Sequence, residues 1–480
     1  MIRELNKPES IYTSNFGGFC PFWTKQDQTV YVADTAEEIF NLVPESDRTL
    51  NTSSFFELMF FNYILGDNTL IKDVYRMPWH SELSADGVIK RRAPIVHGKN
   101  QASAKEIAMN LQNLLREEIL NVSQNVPTIY LLLTGGLDSR VVAGILKKIE
   151  EEINSEIKCV TWGQDNSRDL AYAKRIASWY DWEFIHIPYT PELLWDNINR
   201  GAIWGGSEVA GIHLHGMSWF ENVNKNDLVL AASFGDSIGR AEFSSVHLAD
   251  MNLPNIFNKH RLMHPSLVEN LIQSANDNRE SAWRGEASDQ TWVKCELDQQ
   301  ENYMRRMLVH VMDYIRKYAE VHQSFTSDNV VKYMWSLSPE SRTDDVYFEL
   351  LKDLDLRLYS LPWARNGIAP DGAKETDMSL TKNYHVWEKW MRTDLKEKLE
   401  PLYFSKGIEE LNIFNPIAKK HLWTTWQKEG PDAYGKGQDI VKICSLELSR
   451  QNYNIKGENK KVFGADLALD MIKYVCSRIF

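Results

Sequence analysis

The chain has 480 residues, a formal net charge of −12, 43% hydrophobic residues and 25% charged residues. That balance is ordinary for a globular protein, and the length suggests about two to three domains at roughly 150 residues each. The acidic excess argues against broad nucleic-acid binding, which depends on Lys and Arg neutralising phosphates. The short basic run Lys90, Arg91, Arg92 reads as a solvated face. No apolar run approaches the ~18 residues of a membrane span, and the polar start MIRELNKPES lacks a signal-peptide core, so a cytoplasmic location is expected. Cys20, Cys159, Cys295, Cys444 and Cys476 are scattered, with no CxxC spacing, which fits a reducing compartment and no structural zinc.

In chain order, residues 1–100 show short strand-like stretches, GFCPFW, TVYVAD and GVIKRRAPIV, punctuated by turn residues and interrupted by a helical pattern, SSFFELMFFNYIL. They read as a small, mainly β domain. The texture changes near residue 103. Ser103 and Glu106 have capping-box spacing, and Ile107, Leu111, Leu114, Leu115 and Ile119 follow at helical spacing. The apolar run at 129–133, bounded by Pro127 and Gly135, predicts a buried strand. IKCVTWG (strand), RDLAYAKRIASWY (helix), WEFIHIPY (strand) and DLVLAAS (strand) repeat the alternation, which predicts a parallel α/β sheet flanked by helices. From about residue 260 the pattern is mostly helical, as in NYMRRMLVHVMDYIRKYAEVH.

The first strand ends in TGGLDSR, residues 134–140, and a helix pattern follows. Glycines there permit positive φ and close approach of a ligand to the main chain. Free N–H groups at the turn and the helix start favour an anion. Thr134 and Ser139 add hydroxyl donors. Asp138 is out of place beside a bare phosphate and makes sense if Mg²⁺ bridges it to phosphate oxygens. The stretch therefore asks for a nucleotide with Mg²⁺, and it is not a GxxxxGK[ST] loop, because the lysine is missing.

TGGLDSR resembles the SGGLDS pyrophosphate-binding loop (PP-loop) of the asparagine-synthetase superfamily of ATP pyrophosphatases, which includes enzymes like β-lactam synthetase and lasso-peptide cyclases. VTWGQDNSRDLAYAKRIASWYDWEFIHI resembles the family's second strand, loop and helix, with Asp169 at the Asp position. LVLAASFGDSIGR resembles its SGEGADE segment, with Asp236 at the Asp; SFTSDNVVKYMWSLSPESR resembles its PFLD region; and GAKE places Lys374 at its pyrophosphate lysine. The resemblance spans about residues 105–380. It implies an adenine-nucleotide α-hydrolase-like fold and a division into 1–100, a shortened and inactive glutaminase-like β domain, and 101–480, the ATP pyrophosphatase domain with a helical C-terminal region. It also implies ATP and Mg²⁺ as cofactors. Leu133, Thr134, Gly135, Gly136, Leu137, Asp138 and Ser139 would cradle the phosphates, Trp162 and Gly163 the base, and Ala232 and Asp236 would complete the site. Asp138 and Asp236 would hold the metal, and Asp138 and Lys374 would be catalytic.

The departures from the family matter as much. Met1 is followed by Ile2, so the N-terminal glutaminase cysteine is not expected, and Cys20 reads as a core residue. Ser237 stands where the family has Glu after the Asp, and Arg140 replaces a small residue. Tyr347 and Glu349 are available as a base pair of the lactam-forming kind, without support. His213 and His215 in GIHLHG read as loop or core histidines, with a pocket role left open, and LPWARNG is expected near the substrate cleft. The expected activity is an ATP-dependent carbon–nitrogen ligase that adenylates a carboxylate, releases pyrophosphate and passes the acyl group to an amine. The expected partners are therefore small-molecule or peptide carboxylates and amines. The rival readings are an enzyme adenylating a nucleoside or nucleobase carbonyl and a non-catalytic ATP-binding scaffold.

Overall fold

The computed structural model describes residues 2–14, 16–92, 95–244, 258, 260–283, 290–428 and 435–458. Met1, Ala93, Pro94 and Cys476, which figure in the sequence reading, lie outside the described residues. The N-terminal region holds seven strands: β1 (Arg3–Leu5), β2 (Ser10–Tyr12), β3 (Phe22–Gln26), β4 (Thr29–Ala33), β5 (Val74–Arg76), β6 (Ser81–Ser84) and β7 (Ile89–Arg91). They form two antiparallel sheets, in the orders β1-β4-β3-β5 and β2-β6-β7. Alternation decides what each face touches. Trp23, Val30 and Val32 point toward Leu83 and Ala85 of the smaller sheet, whereas Phe22 and Ala33 face the opposite way into a core shared with C-terminal helices. The helical pattern at 53–65 is helical only as far as Phe61, in α2 (Thr52–Phe61), which follows a short α1 (Ala36–Leu42).

The larger sheet contains β8 (Thr128–Leu132), β9 (Glu156–Gly163), β10 (Glu183–Pro188), β11 (Leu228–Ala231) and β12 (Glu320–Gln323), ordered β10-β9-β8-β11-β12 and parallel throughout. Helices α3 (Ala104–Val122), α4 (Leu137–Ile149), α5 (Arg168–Tyr180) and α6 (Pro191–Ile203) connect or flank its first strands. The Ser103 hydroxyl caps α3 by accepting from Glu106 N–H at 3.3 Å, and Ile107, Leu111, Leu115 and Ile119 bury the predicted stripe. The predicted helix RDLAYAKRIASWY forms over its full length as α5.

One segment departs from expectation. The helical pattern ending in AEVH continues only to Arg316, and Glu320–Gln323 form the edge strand β12 beside β11. Residues 291–316 make one long helix, here α7, whose middle part, Gln299–Val309, is wound as a π-helix. Such winding changes which side chains share a face. Tyr303 and Met307 turn toward the sheet's end. Arg305 and Arg306 turn the other way, to the carbonyls of Gly66, Met77 and Ile64 and to Asp67 and Glu208. This arginine face couples α7 to the N-terminal strands, as does Arg76, which pairs with Glu208 and Asp313. Burial alone would raise the Glu208 carboxyl, but Arg306, Arg76 and His310 hold it down at about 2.

Candidate active site

Chain order against strand order locates the site. The chain runs from β8 outward through β9 to β10, then crosses back to place β11 on the other side of β8. The reversal leaves a crevice beyond the carboxyl ends of β8 and β11, where open α/β sheets bind ligands. TGGLDSR leaves β8 there and FGDSIG leaves β11 there, so Asp138 and Asp236, far apart in sequence, come to adjacent strand ends.

The first loop is held rigidly from below. Gly136 caps α4 with φ −74° and ψ 157°, so neither Gly135 nor Gly136 uses the positive φ that the sequence reading allowed for. Gly135 is needed for space: a methyl there would lie 2.6 Å from Ala364 Cβ and 2.9 Å from Tyr172 Cδ2. The Gly135 N–H donates to Asp169 Oδ1 at 2.9 Å, which gives Asp169 the part of a brace. The Ser139 hydroxyl accepts from Thr134 N–H at 3.2 Å and closes the turn. Arg140 is fully buried and faces away from the crevice. Its guanidinium donates to the carbonyls of Gly135 (2.8 Å), Leu361 (2.7 Å), Leu358 (3.4 Å) and Pro362, tying the loop to the segment LPWARNG. Burial pushes Arg140 down to about 9, against the pull of Tyr172 and Asp169. LPWARNG therefore packs on the TGGLDSR loop itself, through Ala364 N–H to Gly135 O at 3.1 Å.

A cavity of about 420 Å³ opens above this floor. Thr134, Gly136, Asp138, Ser139, Trp162 and Ala232 line it; Leu133 and Leu137 are core residues beneath it, and Gly135, Gly163, Asp236 and Lys374 are not on its surface. Gly163 does adopt positive φ, at +132°, and a methyl there would also lie 2.9 Å from Tyr384 Cβ. Trp162 stacks on His215 with centroids 5.3 Å apart, and Tyr384 meets His215 edge-on at 5.7 Å. His213 and His215 both line the cavity, and burial with mutual repulsion among His213, His215 and His385 keeps His213 and His215 neutral, down at about 3. Tyr303, Met307, Leu308, Val311 and Met312 of α7 form the remaining wall. Nothing in the sequence pattern pointed to them, because the π winding that aims them is a tertiary outcome.

Asp138 and Asp236 are both part-buried at these strand ends. Burial raises both carboxyls, Asp138 adds to the rise at Asp236, Glu242 adds to the rise at both, and Arg240 works against it. Asp236 Oδ1 is buried without a hydrogen-bond partner, whereas both Asp138 oxygens face Arg240, at 3.2 and 3.3 Å. An orphaned carboxylate oxygen beside a second carboxylate suits a divalent cation whose other ligands are phosphate oxygens and water. Among the described residues no group of three or more His, Cys, Asp or Glu is placed to hold a metal without such help.

The other sequence candidates are elsewhere. Lys374 is exposed, in a turn bridged to Ile368. Glu349 is paired with Lys352 in an outer groove that α3 also lines, and the buried Tyr347 donates its hydroxyl to Gly235 O at 2.8 Å, so the two form no base pair at the cavity. Ser237 is buried and donates to Phe234 O at 3.3 Å. Cys20 is fully buried, and burial pushes its thiol up to about 12.

Residues 111–220 match the sequence model of the asparagine synthase family. The asparagine synthase match is less than a quarter of the chain; it runs from within α3 to past His215 and stops short of β11 and Asp236. No curated protein matches the chain. Among solved structures it is similar to an NH3-dependent NAD synthetase from Campylobacter jejuni subsp. jejuni NCTC 11168 in complex with nitrate, at 13% identity, covering 42% of this chain and 96% of that one, TM-score 0.21. It is also similar to an NMN synthetase from Francisella tularensis, at 13% identity, covering 45% and 94%, TM-score 0.20. Likeness at this level carries no argument about activity. Among the described residues, no helix is long and apolar enough to cross a membrane.

Proposed function

We propose that the chain is an ATP-dependent amide ligase of the asparagine synthase type. The observation that carries this reading is the meeting of Asp138 and Asp236 at the β8–β11 switch point, beside a braced TGGLDSR loop at a helix start. The Thr134 and Ser139 hydroxyls and the main chain at Gly136 would hold the phosphates, and the wall at Trp162 and Ala232 would hold the nucleoside. Asp138 and Asp236 would hold Mg²⁺, which when bound neutralises phosphate charge and orients the α-phosphorus. In this reading a substrate carboxylate oxygen attacks the α-phosphorus, pyrophosphate leaves, and an amine displaces AMP from the acyl-adenylate. The apolar wall from Met307 to Met312 would keep water from that intermediate. Residues 1–100 serve as a packing partner for α7 through the arginine contacts.

Calorimetric titration with Mg²⁺ and an ATP analogue not cleavable between the α and β phosphates tests the reading. Binding by the native chain, lost in Asp138→Ala and in Asp236→Ala, is the expected outcome, followed by carboxylate-dependent pyrophosphate release. Binding without any such release, across amino acids, sugar acids and peptides, favours the second reading, a nucleotide-binding scaffold. Arg240 seated on Asp138 is the observation that favours that scaffold.

A further inference from the structure

Among the described residues, no Lys or Arg lines the cavity that would take a nucleotide's polyphosphate. A triphosphate carries several negative charges, and charge-assisted hydrogen bonds from a cation are the usual answer. Lys374 is off the lining, as Arg240 is, and is exposed in a turn, touching no lining carboxylate in any ion pair described; the two terminal nitrogens of Arg140 donate to four carbonyls. The cation in direct contact with a lining carboxylate is Arg240, four residues beyond Asp236.

Arg240 is unusually well held. Its side chain is 5% exposed and its guanidinium is shared among Asp138 (3.2 Å), Asp344 (2.6 Å) and Glu242 (3.3 Å). The rings of Tyr347 and Trp363 lie 5.3 and 5.7 Å from it. Gly239 makes the approach of Tyr347 possible, since a side chain there would collide with the Tyr347 hydroxyl. Three carboxylates around one guanidinium leave the pocket edge with surplus negative charge. Asp344 and the two rings fix where the planar head sits, while its two N–H groups toward Asp138 make longer, weaker bonds than the one toward Asp344.

We propose that Arg240 is the polyphosphate-binding residue of this site, its Nε and one terminal nitrogen passing from Asp138 to phosphate oxygens when these bind. The proposal rests on the nucleotide reading above. Its physical basis is exchange of partners: a divalent cation competing for Asp138 frees the guanidinium fork, and a phosphate accepts that fork in the bidentate geometry a carboxylate uses. The contact with Asp138 means that Arg240 opposes binding of metal alone and favours binding of metal with polyphosphate.

The test uses the full chain with Arg240→Gln, Arg240→Lys and Lys374→Ala. Calorimetry measures affinity for the Mg²⁺ complexes of the ATP analogue and of inorganic tripolyphosphate; Mn²⁺ alone is followed by its paramagnetic resonance signal. For R240Q the expected result is at least tenfold weaker binding of both phosphate ligands together with unchanged or tighter binding of Mn²⁺ alone. R240K should recover part of the phosphate affinity, as a point charge without a fork. Native-like phosphate binding by R240Q overturns the proposal, as does loss confined to K374A. If R240Q loses Mn²⁺ and phosphate together and R240K does the same, Arg240 only holds the fold and the proposal fails. Arg240-dependent binding of tripolyphosphate with no gain for the ATP analogue keeps the phosphate site and sinks the nucleotide reading. No binding of either ligand by the native chain sinks both.

Discussion

Gly235→Ala is the smallest perturbation that separates a working carboxylate pair from a merely folded crevice. The added methyl would lie 2.5 Å from Asp138 Oδ1, 2.6 Å from its Cβ and 2.7 Å from its Cγ. Ordinary contact begins near 3.4 Å, so the better part of an ångström must be found. The turn cannot supply it easily: Gly235 N–H donates to Ala232 O at 3.1 Å, and Gly235 O accepts the buried Tyr347 hydroxyl. Asp138 is the part that gives way, by turning off its rotamer and away from both Asp236 and Arg240. Overpacking of this kind costs about 1–3 kcal/mol. Misplacement of a functional group by about 1 Å costs on the order of 10²-fold in function. The expected outcome is a chain that still melts cooperatively, a few degrees lower, but binds the Mg²⁺ complex of the ATP analogue roughly 10²-fold more weakly. Calorimetry and a thermal melt on the same sample give both numbers. Native-like affinity in Gly235→Ala would refute the placement of Asp138 as a ligand to the metal or phosphates.

Three further substitutions probe the support around the site. Arg140→Met strands the carbonyls of Leu358, Leu361 and Pro362 and leaves Gly135 O with Ala364 N–H alone; at about 1–3 kcal/mol for a buried unpaired group, offset by the relief of a buried charge, a net loss of about 2–4 kcal/mol is expected in urea unfolding. A native melting curve for that variant would show that the guanidinium does not clamp the loop. Glu208 has its carboxyl held down at about 2 against an ordinary 4.5, so its contribution is present above pH 4.5 and is lost as pH falls toward 2. Glu208→Gln should lose about 3–5 kcal/mol at neutral pH and show a flatter acid limb; an unchanged limb would exclude Glu208 as its source. Glu57 is fully buried, and burial raises it to about 8 against the opposing hydrogen bonds of Asn278 and Leu65 N–H and the charge of Arg306. Its stabilising effect is therefore complete below pH 4.5 and declines as pH rises through 8, so Glu57→Gln should flatten stability between those values; an identical pH profile in both chains counts against it.

The sequence by itself determined the local units of the site. A five-residue apolar run before two glycines, a capped amphipathic stretch at Ser103 and the pattern of RDLAYAKRIASWY are each readable within a dozen residues, and all three formed where the pattern put them. Strand β12 was hidden because AEVH is too short to show a period of two, and it follows a helix whose apolar spacing runs up to it. The neighbour relation of β8 and β11 is not legible in the sequence, since two strands about a hundred residues apart carry no local mark of adjacency; the crossover after β10 decides it. The same holds for Arg140 and Arg240. Both are arginines near an aspartate in the chain, and only packing separates the buried clamp on four carbonyls from the cation resting on Asp138. Local propensity acts over a few residues and so is written in the sequence, whereas the partner of a charge is chosen by which distant elements the core brings together.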